Sequence, residues 1–254
     1  MPSESEKRAR ARMFMDIKVR IESGADGGPA RIIPRRGHRK PLGRYISLKA
    51  RRGMLWESFH ERHLMWICEA DTAVVSFKAQ PHKLTIWMPE LGKNARYTPD
   101  LLRVLADGTK EVIEVKRRRD EVSRDELYEE KLARAAQGYA HKGFVFRIMT
   151  AADDIEIEPI FSNAKRIQTD RFTRYGAVDE LRFREAIEAA DGTLPYAKAT
   201  EILSATGERD DPLARARLHA FIVRRIASVD IHKTLRADSP VSEIENKRKP
   251  RKRA

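Results

Sequence analysis

The stretch Tyr97-Thr98-Pro99-Asp100, followed by Glu114-Val115-Lys116, offers two carboxylates and an amine in a pattern suited to phosphate chemistry. The turn between them decides whether they meet. Gly108 fits the left-handed position of a three-residue hairpin loop, Ala106-Asp107-Gly108. Leu105 then opposes Thr109, and counting outward sets Asp100 opposite Glu114, with Lys116 on the same face one step further along. A two-residue loop would shift the register by one and send the carboxylates to opposite faces. Opposed acids are a liability in an ordinary sheet because like charges repel. They become useful if a divalent cation lies between them. Carboxylates, waters and a phosphate are what Mg2+ prefers, with Mn2+ as a substitute. Lys116 beside such an ion would orient the attacking water or offset charge building on the phosphate. The alternative is a surface hairpin whose Glu114–Lys116 pair is solvated.

A third acid, Glu61, lies one turn from Glu57 on a stripe that continues through Met65 and Cys68 and grows apolar toward its end. It reads either as the acid completing the site or as a salt-bridge partner of Arg62 or a strand lysine. The elements that must position these groups follow from periodicity. Trp56, Phe59, His63, Trp66 and Ile67 recur at three- and four-residue steps and predict a helix from about Met54. Strand-like runs follow at 73–77, 84–88, 101–105 and 111–115, then a helix over about 120–139, with Leu127, Lys131 and Arg134 near Leu132 and Ala136, and a buried strand at 144–149. Helix, four strands, helix, strand is an α/β core of about 100 residues. Beyond residue 150 the texture turns helical, with helices expected at 178–190, 196–204 and 213–226 and a strand at 229–231. That order suggests a small winged-helix-like module or a plain helical bundle for protein contacts.

The 254 residues carry 51 Lys+Arg against 38 Asp+Glu, a net charge of +13, and 41% are hydrophobic, which excludes wholesale disorder. No run approaches the ~18 apolar residues of a membrane span, and no apolar signal segment follows Met1, so a cytoplasmic, nucleoid-associated protein is expected. The sole cysteine, Cys68, excludes an internal disulfide and a cysteine-zinc cluster and reads as packing. The charge is uneven. Residues 1–52 hold 15 basic and 5 acidic side chains, and the tail adds Lys247, Arg248, Lys249, Arg251, Lys252 and Arg253 without an acid. The stretch between them carries 30 basic and 33 acidic residues, so the excess sits wholly at the two ends. Such arms gain affinity for double-stranded DNA by counterion release. His60 and His63 lack a third zinc ligand of matching spacing. Trp56, Trp66 and Trp87 read as core, and no phosphate-loop motif is present.

Four segments together resemble a known family: Ser58-Phe59-His60-Glu61-Arg62, Val74 through Pro81, Arg96 through Leu101, and Glu111 through Lys116. In order and separation they are similar to the TnsA-type transposon endonuclease, the heteromeric-transposase endonuclease subunit of the PD-(D/E)XK nuclease superfamily. The resemblance implies a restriction-endonuclease-like core, a mixed sheet flanked by helices, over 53–150. A winged-helix-like domain would follow over 151–240, while residues 1–52, a basic and loosely packed arm by their charge and the turn cluster Gly24 to Pro29, and the basic tail at 241–254 have no counterpart in the family. It implies that Asp100, Glu114 and Glu61 hold Mg2+ and that Lys116 is the catalytic lysine. One DNA strand would be hydrolysed at each transposon end. The implied partners are an integrase-like transposase subunit and an ATP-dependent regulator. A non-catalytic DNA-binding adaptor on the same fold, or a phage or restriction nuclease of the same superfamily, is the alternative. His60, His63 and the sequence Glu69-Ala70-Asp71-Thr72 depart from the family pattern around the helix acid.

Overall fold

A computed structural model of the chain describes residues 19–23, 41–205, 207 and 211–244. The turn cluster Gly24 to Pro29 and the basic residues Lys247 to Arg253 lie outside the described residues, whereas 241–244 of the segment expected as tail are described. Two units divide the chain. The first draws on residues up to Ile46 together with Gly53–Arg62 and Ser76–Glu156, and the second on Ser47–Arg52, His63–Val75 and Ile157 onward.

The first unit is organised by strand β8 (Lys110–Lys116), whose Glu111 to Val115 are all buried, as expected of a central strand covered on both faces. Strand β7 (Leu101–Leu105) pairs with it antiparallel through Leu101↔Ile113 and Arg103↔Glu111. Strand β9 (Val145–Thr150) pairs with its other edge in parallel through Glu114↔Ile148 and Lys116↔Thr150. With β4 (Val74–Ala79) outside β7, the sheet is mixed, in the order β4-β7-β8-β9. The turn is the one the sequence predicts. Leu105 N–H donates to the Thr109 carbonyl at 2.8 Å, and Gly108 sits at φ 90°, where a side chain would be strained. A second, antiparallel sheet pairs β5 (His82–Met88) with β1 (Val19–Ser23) and β6 (Lys93–Tyr97). Strands β2 (Gly43–Ser47) and β3 (Arg52–Trp56) form a two-stranded sheet. So 19–23 and 43–47, read from composition as part of a loose arm, take part in sheets.

The helices differ from expectation in instructive ways. Met54 and Trp56 belong to β3, and helix α1 (Phe59–Ala70) begins only after Ser58, whose hydroxyl accepts the Glu61 N–H at 3.2 Å. Periodicity alone extends the helix backward through Trp56, but the buried Trp56 ring packs so closely over Gly43 that any side chain there would clash. The helix expected over 120–139 is two, α2 (Asp120–Ser123) and α3 (Glu126–His141). Asp125 breaks it: its backbone is extended and its carboxylate accepts the Tyr128 N–H at 3.1 Å. Leu127 is 52% exposed, whereas Leu132, Ala135 and Tyr139 enter a core with Leu84, Ile86, Met88, Tyr97 and Val112, and Tyr128 packs at its edge. The inward stripe is therefore 128-132-135-139, one position round from the surface drawn from Leu127, Lys131 and Arg134.

The second unit contains α4 (Ile160–Thr169), α5 (Ala177–Ala189), α6 (Tyr196–Ile202) and α7 (Pro212–Val223). Strands β10 (Thr193–Pro195), β11 (Ala227–Ser228) and β12 (Pro240–Glu243) form an antiparallel sheet in the order β10-β12-β11. The strand expected at 229–231 lies two residues earlier, because the Ile231 carbonyl is taken by the Asn163 side chain at 3.0 Å instead of a ladder. Phe183, Leu218 and Phe221 are fully buried. Within this core Tyr196 Oη and Asp170 Oδ2 bind the two ring nitrogens of His219 at 2.6 and 2.5 Å.

Candidate active site

Asp100 stands at the point where β7 begins. Its N–H donates to the Ile113 carbonyl at 3.1 Å, and its side chain takes over the next rung: Oδ2 accepts the Val115 N–H at 2.7 Å. A carboxylate used as a ladder acceptor is fixed in direction, and here it faces the end of β8 that carries Glu114 and Lys116. Among the described residues Asp100 Oδ1 accepts no hydrogen bond.

Glu114 is 5% exposed. Its Oε2 accepts from Tyr97 Oη at 2.6 Å, and its Oε1 accepts from Lys116 Nζ at 2.6 Å and from Tyr128 Oη at 2.5 Å. Tyr97 and Tyr128 are the residues sequence reasoning missed. Tyr97 lies in the quoted Arg96 to Leu101 segment and alternates toward the site. Tyr128 becomes legible only once the inward stripe of α3 is known.

Glu61 occupies the third position of α1, which places it in the first turn beside Ser58. Its Oε1 accepts the Ser58 hydroxyl and its Oε2 the Glu57 N–H, both at 2.9 Å. The pattern Ser58-x-x-Glu61 is a capping-box signature, so the helix start fixes this acid. The stripe with Glu57 dissolves, since Glu57 precedes the helix. Neither alternative partner, Arg62 or a strand lysine, binds it among the described residues; Arg62 lies over Trp56 and Phe59.

The electrostatics bring the four predicted residues together. Burial, then the charges of Glu114 and Glu61, push the Asp100 carboxyl well above the usual carboxylate range, against the Val115 N–H and Lys116. Burial also raises Glu61; the Glu57 N–H and the Ser58 hydroxyl oppose this, and the charges of Glu57 and Glu114 add to it. Burial works against the charge of Lys116, but Glu114 beside it lifts the ammonium above the usual lysine value. Three acids that act on one another electrostatically, with one amine beside Glu114, are short of positive charge. The donor set is all oxygen, the chemistry that suits a hard divalent cation. That donor chemistry is of the kind the implied divalent cation prefers.

Other candidates lie elsewhere. His60 is half-buried and pairs with Glu156 at 2.6 Å. His63 stacks on Trp66 and Phe161, with ring centroids 4.7 and 4.8 Å away. Cys68 is buried. No helix of the described residues is long and apolar enough to cross a membrane.

No curated protein matches the chain. A family model described as TnsA-like endonuclease N terminal matches residues 71–151. The matched span runs from just before β4 to just after β9 and contains Asp100, Glu114 and Lys116; Glu61 precedes it. Over that span the chain is similar to the TnsA-like endonucleases, the family whose resemblance its motifs carry.

Proposed function

We propose that the protein is a metal-dependent DNA endonuclease of the TnsA type that hydrolyses one strand at transposon ends. One observation carries this reading: a ladder-fixed Asp100, the buried Glu114 and the capping acid Glu61 act on one another electrostatically, with Lys116 2.6 Å from Glu114. Such a cluster is costly without a cation, and a divalent cation can assist phosphodiester hydrolysis. Bound there, Mg2+ would supply Lewis acidity toward the phosphate and acidify water. The chain's own residues do the rest. Tyr97 and Tyr128 hold the Glu114 carboxylate in one orientation, Asp100 is held by the Val115 N–H, and Lys116 stands where charge building on the phosphate can be offset.

The DNA path is supported by an open groove of about 650 Å³ lined by Arg117, Arg118 and Arg119 together with His60, Asp153 and Glu156. Its carboxylates are engaged, Asp120 (also on its wall) by Arg118 and Arg124, Asp153 by the Thr150 hydroxyl and Glu156 by His60. The exposed Arg117 guanidinium forms no ion pair among the described residues. The Lys247 to Arg253 tail would add grip on phosphate without reading sequence. We read residues 53–150 as the nuclease segment and 151–240 as a winged-helix-like module. The order α5-β10-α6-α7-β11-β12 and the sheet order β10-β12-β11 support that module. The buried face of α7, from Leu218 to Val223, leaves little of that helix to enter a groove, which favours partner contacts there over base reading. An integrase-like transposase and an ATP-dependent regulator are the proposed partners. The test is cleavage of end-containing DNA in Mn2+ with partners present. Asp100→Ala should abolish nicking while retaining most DNA binding. Equal cleavage by that variant would sink the site.

A further inference from the structure

Beside the acids lies a residue that no part of the proposed chemistry uses. Gln80 is 5% exposed, and its backbone has φ 43°, a left-handed conformation that side chains rarely adopt. It also precedes Pro81, which further narrows the backbone freedom of the position. Such a conformation persists only where its surroundings over-determine it, and functional sites are where that happens. Two bonds hold it here. The Gln80 N–H donates to the Asp100 carbonyl at 2.8 Å, and its Nε2 donates to Glu57 Oε1 at 2.7 Å. Glu57 in turn gives its N–H to Glu61 Oε2. Gln80 thus touches one of the three acids directly and a second through Glu57.

The Glu57 contact settles the amide orientation, because a flipped amide would set two acceptor oxygens against each other. Among the described residues the oxygen Oε1 is then buried without a hydrogen-bond partner. A buried acceptor needs a donor. The side chain shown to meet Gln80 is that of Glu57, a carboxylate, which accepts and does not donate. The missing donor is therefore a water. Mg2+ and Mn2+ keep several waters when carboxylates hold them, and outer acceptors orient those waters.

Resting on the nuclease reading above, we propose that Gln80 is a positioning residue whose Oε1, aimed by Glu57, accepts a hydrogen bond from a water in the hydration shell of the cation held by Asp100, Glu114 and Glu61. It is the neutral oxygen of an otherwise acidic corner, so it directs that water without adding charge.

The test is calorimetric titration of Mn2+ into the wild type and Gln80→Met, which keeps length and removes the acceptor. Loss of an outer-shell partner weakens metal binding by about 10- to 100-fold, and that loss is the expected result. Equal affinity in both proteins overturns the assignment while leaving the metal site standing. Absence of Mn2+ binding by the wild type, even with DNA present to supply phosphate, overturns the nuclease reading itself. Should Gln80→Met fail to fold, a crystal structure of the wild type with Mn2+ decides. A water bridging the ion and Gln80 Oε1 is expected, and an Oε1 bonded to a protein atom or to nothing refutes the role.

Discussion

Strand β8 carries two glutamates with opposite surroundings. Glu111 points to one face and is bracketed by Arg103 and Arg147 at 2.6 and 2.5 Å; despite burial, which raises it, these hold its carboxyl below the usual range. Glu114, three residues on, points to the other face, where its charge acts on Asp100 and Glu61, with a single amine beside it. The first is a satisfied structural cluster and the second is short of positive charge, which is why function is assigned to the second. Roles within it are separable. On the proposed reading Asp100→Ala removes a cation holder, so cleavage and cation affinity should fall together. Lys116→Ala removes a charge that acts on the phosphate, so cleavage should drop by about 10²–10³-fold with cation affinity retained. Single-turnover rates and calorimetry on the two variants measure this. A Lys116→Ala protein that lost the cation as completely as Asp100→Ala would mean the lysine holds Glu114 and nothing more.

Elements deliver these residues, and each delivery can be tested away from the chemistry. Asp125 ends α2 and caps α3, so Asp125→Ala should cost about 1 kcal/mol of stability and loosen Tyr128 from Glu114. Chemical denaturation checks the first effect, and unchanged stability would contradict the capping role. The core under α3 carries a pH signature. The His82 ring binds Tyr139 Oη at 2.7 Å, and burial, then the charge of Lys78, lowers its pKa to about 4. The unfolded ring protonates near 6.5 and the folded ring only near 4, so this group removes stability as pH falls between those values. His82→Gln should flatten the stability loss over that window, measured by melting temperature; an unchanged slope would place the effect elsewhere. The legible part of this architecture is the hairpin, because Gly108 and the loop length dictate the register locally. The α1 start and the α2–α3 break are misread from hydrophobic spacing although Ser58 and Asp125 are visible capping residues; at both places the cap outweighs the period. Tyr128 and Gln80 are opaque for a different reason. Their roles depend on contacts between elements far apart in sequence, which periodicity does not report.

For the whole molecule, the positive excess resides in the segments at the two ends and in local groups such as Arg117 to Arg119, while the central stretch is close to neutral. Affinity for DNA and cleavage of it should therefore respond to different changes. Deleting 247–254 should flatten the dependence of DNA binding on salt by about 0.9 in logarithmic slope for each phosphate the tail neutralises, with cation affinity untouched. Arg117→Ala should lower the slope by about 1, the share of a single phosphate. Fluorescence anisotropy over a salt series reads both, and a slope unmoved by the deletion would mean the tail does not reach phosphate. The central claim concerns the acids, and it can be tested without partner proteins or the right DNA end. Mn2+ titrated calorimetrically into the wild type and into Asp100→Ala should give saturable binding to the first and none to the second. Equal binding by both proteins, or no binding by the wild type even with DNA present to supply phosphate, would contradict a metal site at Asp100, Glu114 and Glu61.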